Sequence, residues 1–209
     1  MPDQPSQGGS GSLMPLILIY SVFVLNGFVY SGSRTFLPIH ISSEGSEAMG
    51  DSLVTLALLM GAVGQYIGGV LSQRFPLERL APVMAITVVP CLIAMGITSG
   101  PLLVVASAGL VFFSFGGQPI YTGLIADYTP GRLLGRSYGI SFFAAFGLAS
   151  VGSTYAGFFA DRWDSTSAVF MALAPFAAVA FLISVGLWLI WRRRPGPQET
   201  AQRQPSPSL

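Results

Sequence analysis

Five long stretches of this chain contain no Asp, Glu, Lys or Arg: residues 4–33, 52–73, 80–126, 137–160 and 165–191. A hydrocarbon layer about 30 Å thick is crossed by roughly 20 apolar residues in a helix, so each stretch is long enough to span it. The first opens with a polar run, which leaves about 20 usable residues from Leu13 onward. The third is long enough for two spans, with Thr98-Ser99-Gly100-Pro101 as the turn between them. The sequence therefore predicts an all-α membrane protein. Its six transmembrane helices lie near 13–34, 52–72, 80–97, 102–126, 137–160 and 168–191.

Only 9% of the 209 residues are charged and 52% are hydrophobic, against about a quarter charged in an ordinary soluble domain. That balance excludes a soluble enzyme, a nucleic-acid binder and a disordered chain. A single cysteine, Cys91, excludes an intramolecular disulfide and a cysteine-cluster metal site. With His40 the only histidine, no zinc or haem centre is expected, and no cofactor is implied. His40 itself reads as an outer-surface residue. Residues 1–12 hold no Lys or Arg, unlike the basic start of a signal peptide, so the first span reads as part of the mature protein. The chain divides into a flexible cytoplasmic tail over 1–12, a membrane unit over 13–191 and a disordered cytoplasmic tail over 192–209.

Orientation follows from the arginines. With both termini cytoplasmic, the inner segments hold Arg74, Arg79, Arg132, Arg136, Arg192, Arg193, Arg194 and Arg203, and the outer ones only Arg34 and Arg162. The expectation is an integral protein of a cell membrane, plasma or inner, with both ends inside.

Polar residues are unevenly distributed among the six helices. Asn26, Tyr30, Ser33 and Arg34 share a face of the first, and Ser107, Ser114, Gln118, Tyr121 and Thr122 share a face of the fourth. The second offers Gln65 and Tyr66; the fifth offers Tyr138, Ser141, Ser150, Ser153 and Thr154. The third has only Thr87 and Cys91, and the sixth only Ser184, so both suit a lipid-facing position. The order polar, polar, apolar occurs twice, which predicts two three-helix repeats with a solute site near mid-membrane. Any single hydroxyl is also explained as interhelical packing glue. Arg34 has two readings, a side chain snorkelling to the headgroups or a cation aimed into the cavity at an anionic solute.

Gly64 and Gly68 form a GxxxG pair, and Ser153 and Gly157 a small-xxx-small pair, both of which allow close helix approach. Pro119 should bend the fourth helix beside Gln118. Two inner loops are short and charged, Gln73 to Arg79 and Asp127 to Arg136. Their Gln73, Arg74, Arg79, Asp127, Arg132 and Arg136 form a candidate inward gate, the arginines pairing with Asp127 and Glu78 or simply anchoring the topology.

At these loops the sequence resembles the major facilitator superfamily. The run Gly69-Val70-Leu71-Ser72-Gln73-Arg74-Phe75-Pro76-Leu77-Glu78-Arg79 keeps the spacing of the family's G-x-L-[AS]-D-R-x-G-R loop, with Gln73 in place of the acid and Pro76 in place of the second glycine. Leu124-Ile125-Ala126-Asp127-Tyr128-Thr129-Pro130, then Gly135-Arg136-Ser137-Tyr138-Gly139, is similar to a later family loop. Gly157-Phe158-Phe159-Ala160-Asp161-Arg162 is similar to the helix end that follows it. The resemblance covers nearly all of 13–191 and corresponds to the second six-helix half. It implies transport of a small-molecule substrate by alternating access, within the lipid bilayer and with no nucleic acid involved. A second half or a homodimer is expected to cover the polar faces. The expected substrate cavity is lined by Asn26, Tyr30, Arg34, Gln65, Gln118, Tyr121 and Thr122. A non-transporting scaffold or an inactive fragment is the alternative. An intramembrane enzyme lacks the paired acids or Ser–His groups it would need.

Overall fold

The computed structural model describes residues 13–44 and 47–193. The tail over 1–12, and all but the first two residues of the tail over 192–209, lie outside the described residues. Helix α1 runs Leu13–Glu44, α2 Glu47–Arg74, α3 Leu77–Ile97 and α4 Gly100–Tyr128. A 3-10 turn over Gly131–Leu133 leads into α5 (Leu134–Phe142). Past an irregular segment come α6 (Val151–Trp163) and α7 (Thr166–Arg192). Together α5 and α6 make one span, so six segments are long and apolar enough to cross a membrane.

The helix ends follow from local chemistry. Pro76 turns Phe75 away from helical geometry and separates α2 from α3; Pro130 does the same after α4. Between α3 and α4, Thr98 and Ser99 are extended and Gly100 takes φ +62, which glycine adopts without steric cost; Pro101 then opens α4. Asp164 closes α6 in the left-handed conformation, at φ 46.

Two triplets pack with the same pattern. Helix α2 lies on α4 while the α5–α6 span lies on α1; α3 packs on α4 while α7 packs on α1. Helices α1 and α4, and likewise α3 and α7, meet each other in the middle. Three spans per triplet means that the second begins on the opposite side of the membrane, so the repeats are inverted.

Helices approach most closely where they carry glycine. A methyl group at Gly64 would strike the Phe112 carbonyl oxygen, and one at Gly68 that of Gly116. On the α1 side, a methyl at Gly27 would come within 2.6 Å of the Ala145 carbonyl oxygen, and one at Gly152 would strike that of Phe28. Lipid tails give no hydrophobic drive for helices to associate, so such close contact supplies much of the attraction.

Helices α3 and α7 are two-faced rather than lipid-facing all round. Val83, Ile86, Pro90, Ile93 and Ile97 make one exposed stripe on α3; Met171, Pro175, Val179, Leu182 and Leu189 make one on α7. Their other faces build the core, with Leu92, Met95, Phe170 and Leu173 fully buried. Thr87 and Ser184 hydrogen-bond carbonyls of their own helices, at 2.8 Å each, and so need no partner elsewhere.

Two features differ from the sequence expectation. Helix α1 continues ten residues past Arg34, carrying Pro38 within it. His40 is not on the outer surface but completely buried. A carbonyl oxygen only accepts, so His40 Nε2 donates to Met95 O at 2.8 Å, and Nδ1 then accepts from the Thr166 hydroxyl at 2.7 Å. Met95 sits in the last turn of α3, where carbonyls lack helical partners, so His40 caps α3 while tying it to α1 and α7.

The glycine crossings give a direct test. Gly68→Ala should lower the thermal midpoint of the detergent-solubilised protein by roughly 3 °C or more, as overpacking does. Gly69→Ala, next along the helix with nothing within 4 Å of the added carbon, should leave it unchanged or raise it slightly.

Candidate functional site

The polar residues of α1 and α4 divide into those that satisfy one another and those that do not. Asn26 Nδ2 donates to Val22 O at 2.9 Å, so its amide is bonded within its own helix. Tyr121 is only 4% exposed and packs among Ile120, Leu124 and Ile125. On the α5–α6 side, the Ser153 hydroxyl meets those of Ser31 and Thr35 at 2.8 and 2.9 Å. Tyr20 meets Ser137 at 2.7 Å, and Ser137 meets Thr129 at 3.1 Å. These hydroxyls are the packing glue of the bundle.

Tyr30, Arg34, Gln65, Ser114, Gln118 and Thr122 behave differently. Among the described residues, none of their side chains makes a hydrogen bond. Tyr30 only rests edge-on against Phe115, the ring centres 5.5 Å apart. Ser114, Gln118 and Thr122 are half-buried along α4. Gln65 is exposed on α2, two turns from Leu58 and on the same face; Leu58 in turn borders a small void with Tyr30, Arg34 and Ser114. The structure therefore brings Tyr30 and Arg34 beside the α4 polar strip, with Gln65 on the flanking helix.

A cleft of about 250 Å³ opens beside Arg34, lined by Tyr30, Ser31, Arg34, Thr35, Ala145 and Phe146. Its far wall is the irregular part of the fifth span: a π-helical segment over Phe143–Gly147 and a 3-10 turn over Leu148–Ser150. Such interruptions concentrate at functional sites and hinges. The sequence reading treats this span as one helix and does not include Phe146 in the cavity; FFAAFG, aromatic and small residues ending in glycine, is the available signal. Ser33 is 6% exposed and its hydroxyl has no hydrogen-bond partner. It borders the small void of about 20 Å³ with Tyr30, Arg34 and Ser114, room for one water.

The two charged loops lie apart from this cleft, at one end of the bundle. Gln73, Arg74, Arg79, Asp127, Arg132 and Arg136 are all exposed there. The expected arginine–carboxylate pairs are replaced by other contacts. Glu78, which is buried, accepts a hydrogen bond from the Tyr128 hydroxyl at 2.9 Å, tying the start of α3 to the end of α4. The Arg79 guanidinium lies over the Trp191 ring at 5.2 Å, and that of Arg192 over Trp188 at 5.8 Å. For an exposed arginine an indole face and a hydrated carboxylate are worth about the same, at most about 1 kcal/mol each, so the nearby Trp rings are sufficient partners. Among the described residues no three of His, Cys, Asp and Glu cluster where they could hold a metal ion.

A family model described as Major Facilitator Superfamily matches residues 19–208. No curated protein matches the chain.

The division between bonded and unbonded hydroxyls and amides is measurable. Ser153→Ala should cost about 1 kcal/mol in reversible unfolding, because Ser31 and Thr35 lose a shared partner. Gln118→Ala, with no bond to lose, should shift stability by less than about 0.5 kcal/mol.

Proposed function

The chain belongs to the major facilitator superfamily, and from that membership we propose that it carries a small solute across the bilayer by alternating access, one six-helix half rocking against another. The observation that supports this reading is the set of unbonded polar side chains on one face: Tyr30, Arg34, Gln65, Ser114, Gln118 and Thr122. At membrane depth a polar group without a protein partner is unfavourable unless water or a solute meets it. Six such groups around α1, α2 and α4 describe the wall of a wet crevice. Tyr121 is buried behind that wall.

A second half, or a second copy of this chain, closes the crevice. The open face carries polar groups that lipid would not tolerate, together with exposed Phe146 beside the cleft. The arginine distribution supports cytoplasmic termini in a plasma or inner membrane, with the loops bearing Gln73, Arg74, Arg79, Asp127, Arg132 and Arg136 as the inward gate. No covalent chemistry is required of any of these residues.

Because the chain has one cysteine, the crevice can be tested by labelling. In a Cys91→Ser background, single cysteines replace Tyr30, Gln65, Gln118 or Thr122, or else Val83, Ile93, Val179 or Leu182 on the outer stripes. A charged, membrane-impermeant thiol reagent should label the first group about tenfold faster or more. Equal rates, or the reverse order, would end the crevice reading.

A further inference from the structure

Resting on the crevice reading, we propose that the cleft between α1 and the break in the fifth span binds an amphipathic organic anion, its acidic group on Arg34 and its apolar body against Phe146 and Phe142. Arg34 does not end its helix. The apolar span of α1 covers Met14–Ser43, which places Arg34 about 8 Å beyond the middle and nine residues before its outer end. The side chain is exposed and borders both the cleft and the small void, so it lies on the open face where the cleft is. An arginine held at this depth marks a partner of opposite charge.

The chain's described walls supply no such partner. Glu78 and Asp127 belong to the inner end of the bundle, and Asp161 and Asp164 to the outer end of α6. Around Arg34 stand hydroxyls instead. Tyr30 and Ser33 are unbonded, and Ser33 is buried with its hydroxyl unpartnered beside the same void. In the cleft itself the guanidinium stands beside the unbonded Tyr30 hydroxyl, a pair that suits the oxygens of a carboxylate, sulfonate or phosphonate. The remaining wall is aromatic. Phe146 is 60% exposed in the cleft, and Phe142 stacks on it with ring centres 6.1 Å apart at an interplanar angle of 13°. A small hydrated anion such as acetate would leave that aromatic shelf against water, whereas a flat organic body covers it.

The test is equilibrium binding to the full chain in lipid nanodiscs, with its second half co-expressed if one exists. The probes are naphthoate, naphthamide, naphthylmethylammonium and acetate. Naphthoate should bind about tenfold or more tightly than each of the other three. Arg34→Gln should abolish that preference and Arg34→Lys should keep most of it, both with an unchanged thermal midpoint. Phe146→Ala should weaken naphthoate about threefold or more and leave acetate alone. The proposal is overturned if naphthamide competes equally with naphthoate, if naphthoate does not bind, or if its binding survives Arg34→Gln. It is also overturned if Arg34→Gln only lowers the thermal midpoint, the sign of a carboxylate from the covering half. In each of these cases rapid labelling at Gln118 and Thr122 keeps the crevice itself intact; slow labelling there removes both readings.

Discussion

Backbone touches backbone at two places in this bundle, and the remaining architecture is arranged around those contacts. Gly64 and Gly68 bring α2 against the carbonyls of α4, and Gly27 and Gly152 bring α1 against the fifth span. Without a hydrophobic drive between helices in lipid, the close fit supplies dispersion attraction over a long seam. Once α2 is pinned to α4 by its glycine edge, Gln65 and Leu58 share one exposed face of α2 beside that seam. Once the fifth span is pinned to α1, Ser153 comes within reach of Ser31 and Thr35. The glycine seams therefore decide which polar groups find each other and which are left open.

Those seams were readable in part from the sequence. GxxxG on the second helix marked one of them, whereas the other uses Gly27 and Gly152, which sit on different helices and form no GxxxG pair within either. Six spans and their order were legible because the bilayer sets a length and a composition that a single sequence can be checked against. The paired triplets were legible for a related reason: two apolar spans stand out when the other four carry polar strips. Within those strips the sequence could not sort glue from wall. Ser31, Ser33 and Thr35 look alike as residues, and only their neighbours across the helix contact make two of them bonded and one not.

The fifth span shows a different limit. Its residues have a helical pattern, yet the backbone passes through a π-helical segment and a 3-10 turn before resuming. Gly27 of α1 lies against this segment, next to Ala145 and Ala149. A local reading has no access to that neighbour. Within the irregular segment Phe146 lines the cleft.

Charge was the ruler by which spans were measured, and it ended the first one at Arg34. Beyond that residue the chain reads TFLPIHIS, apolar enough to continue, and His40 within it is buried as a cap on α3. Both ionisable residues were assigned to the edge because charge in lipid is unfavourable, and for most residues that inference holds. It fails here for two different reasons: the His40 imidazole has both nitrogens hydrogen-bonded within the protein, and Arg34 is exposed beside an open cleft. Helix α1 can therefore run past both residues without leaving either group unpaired in the packed core.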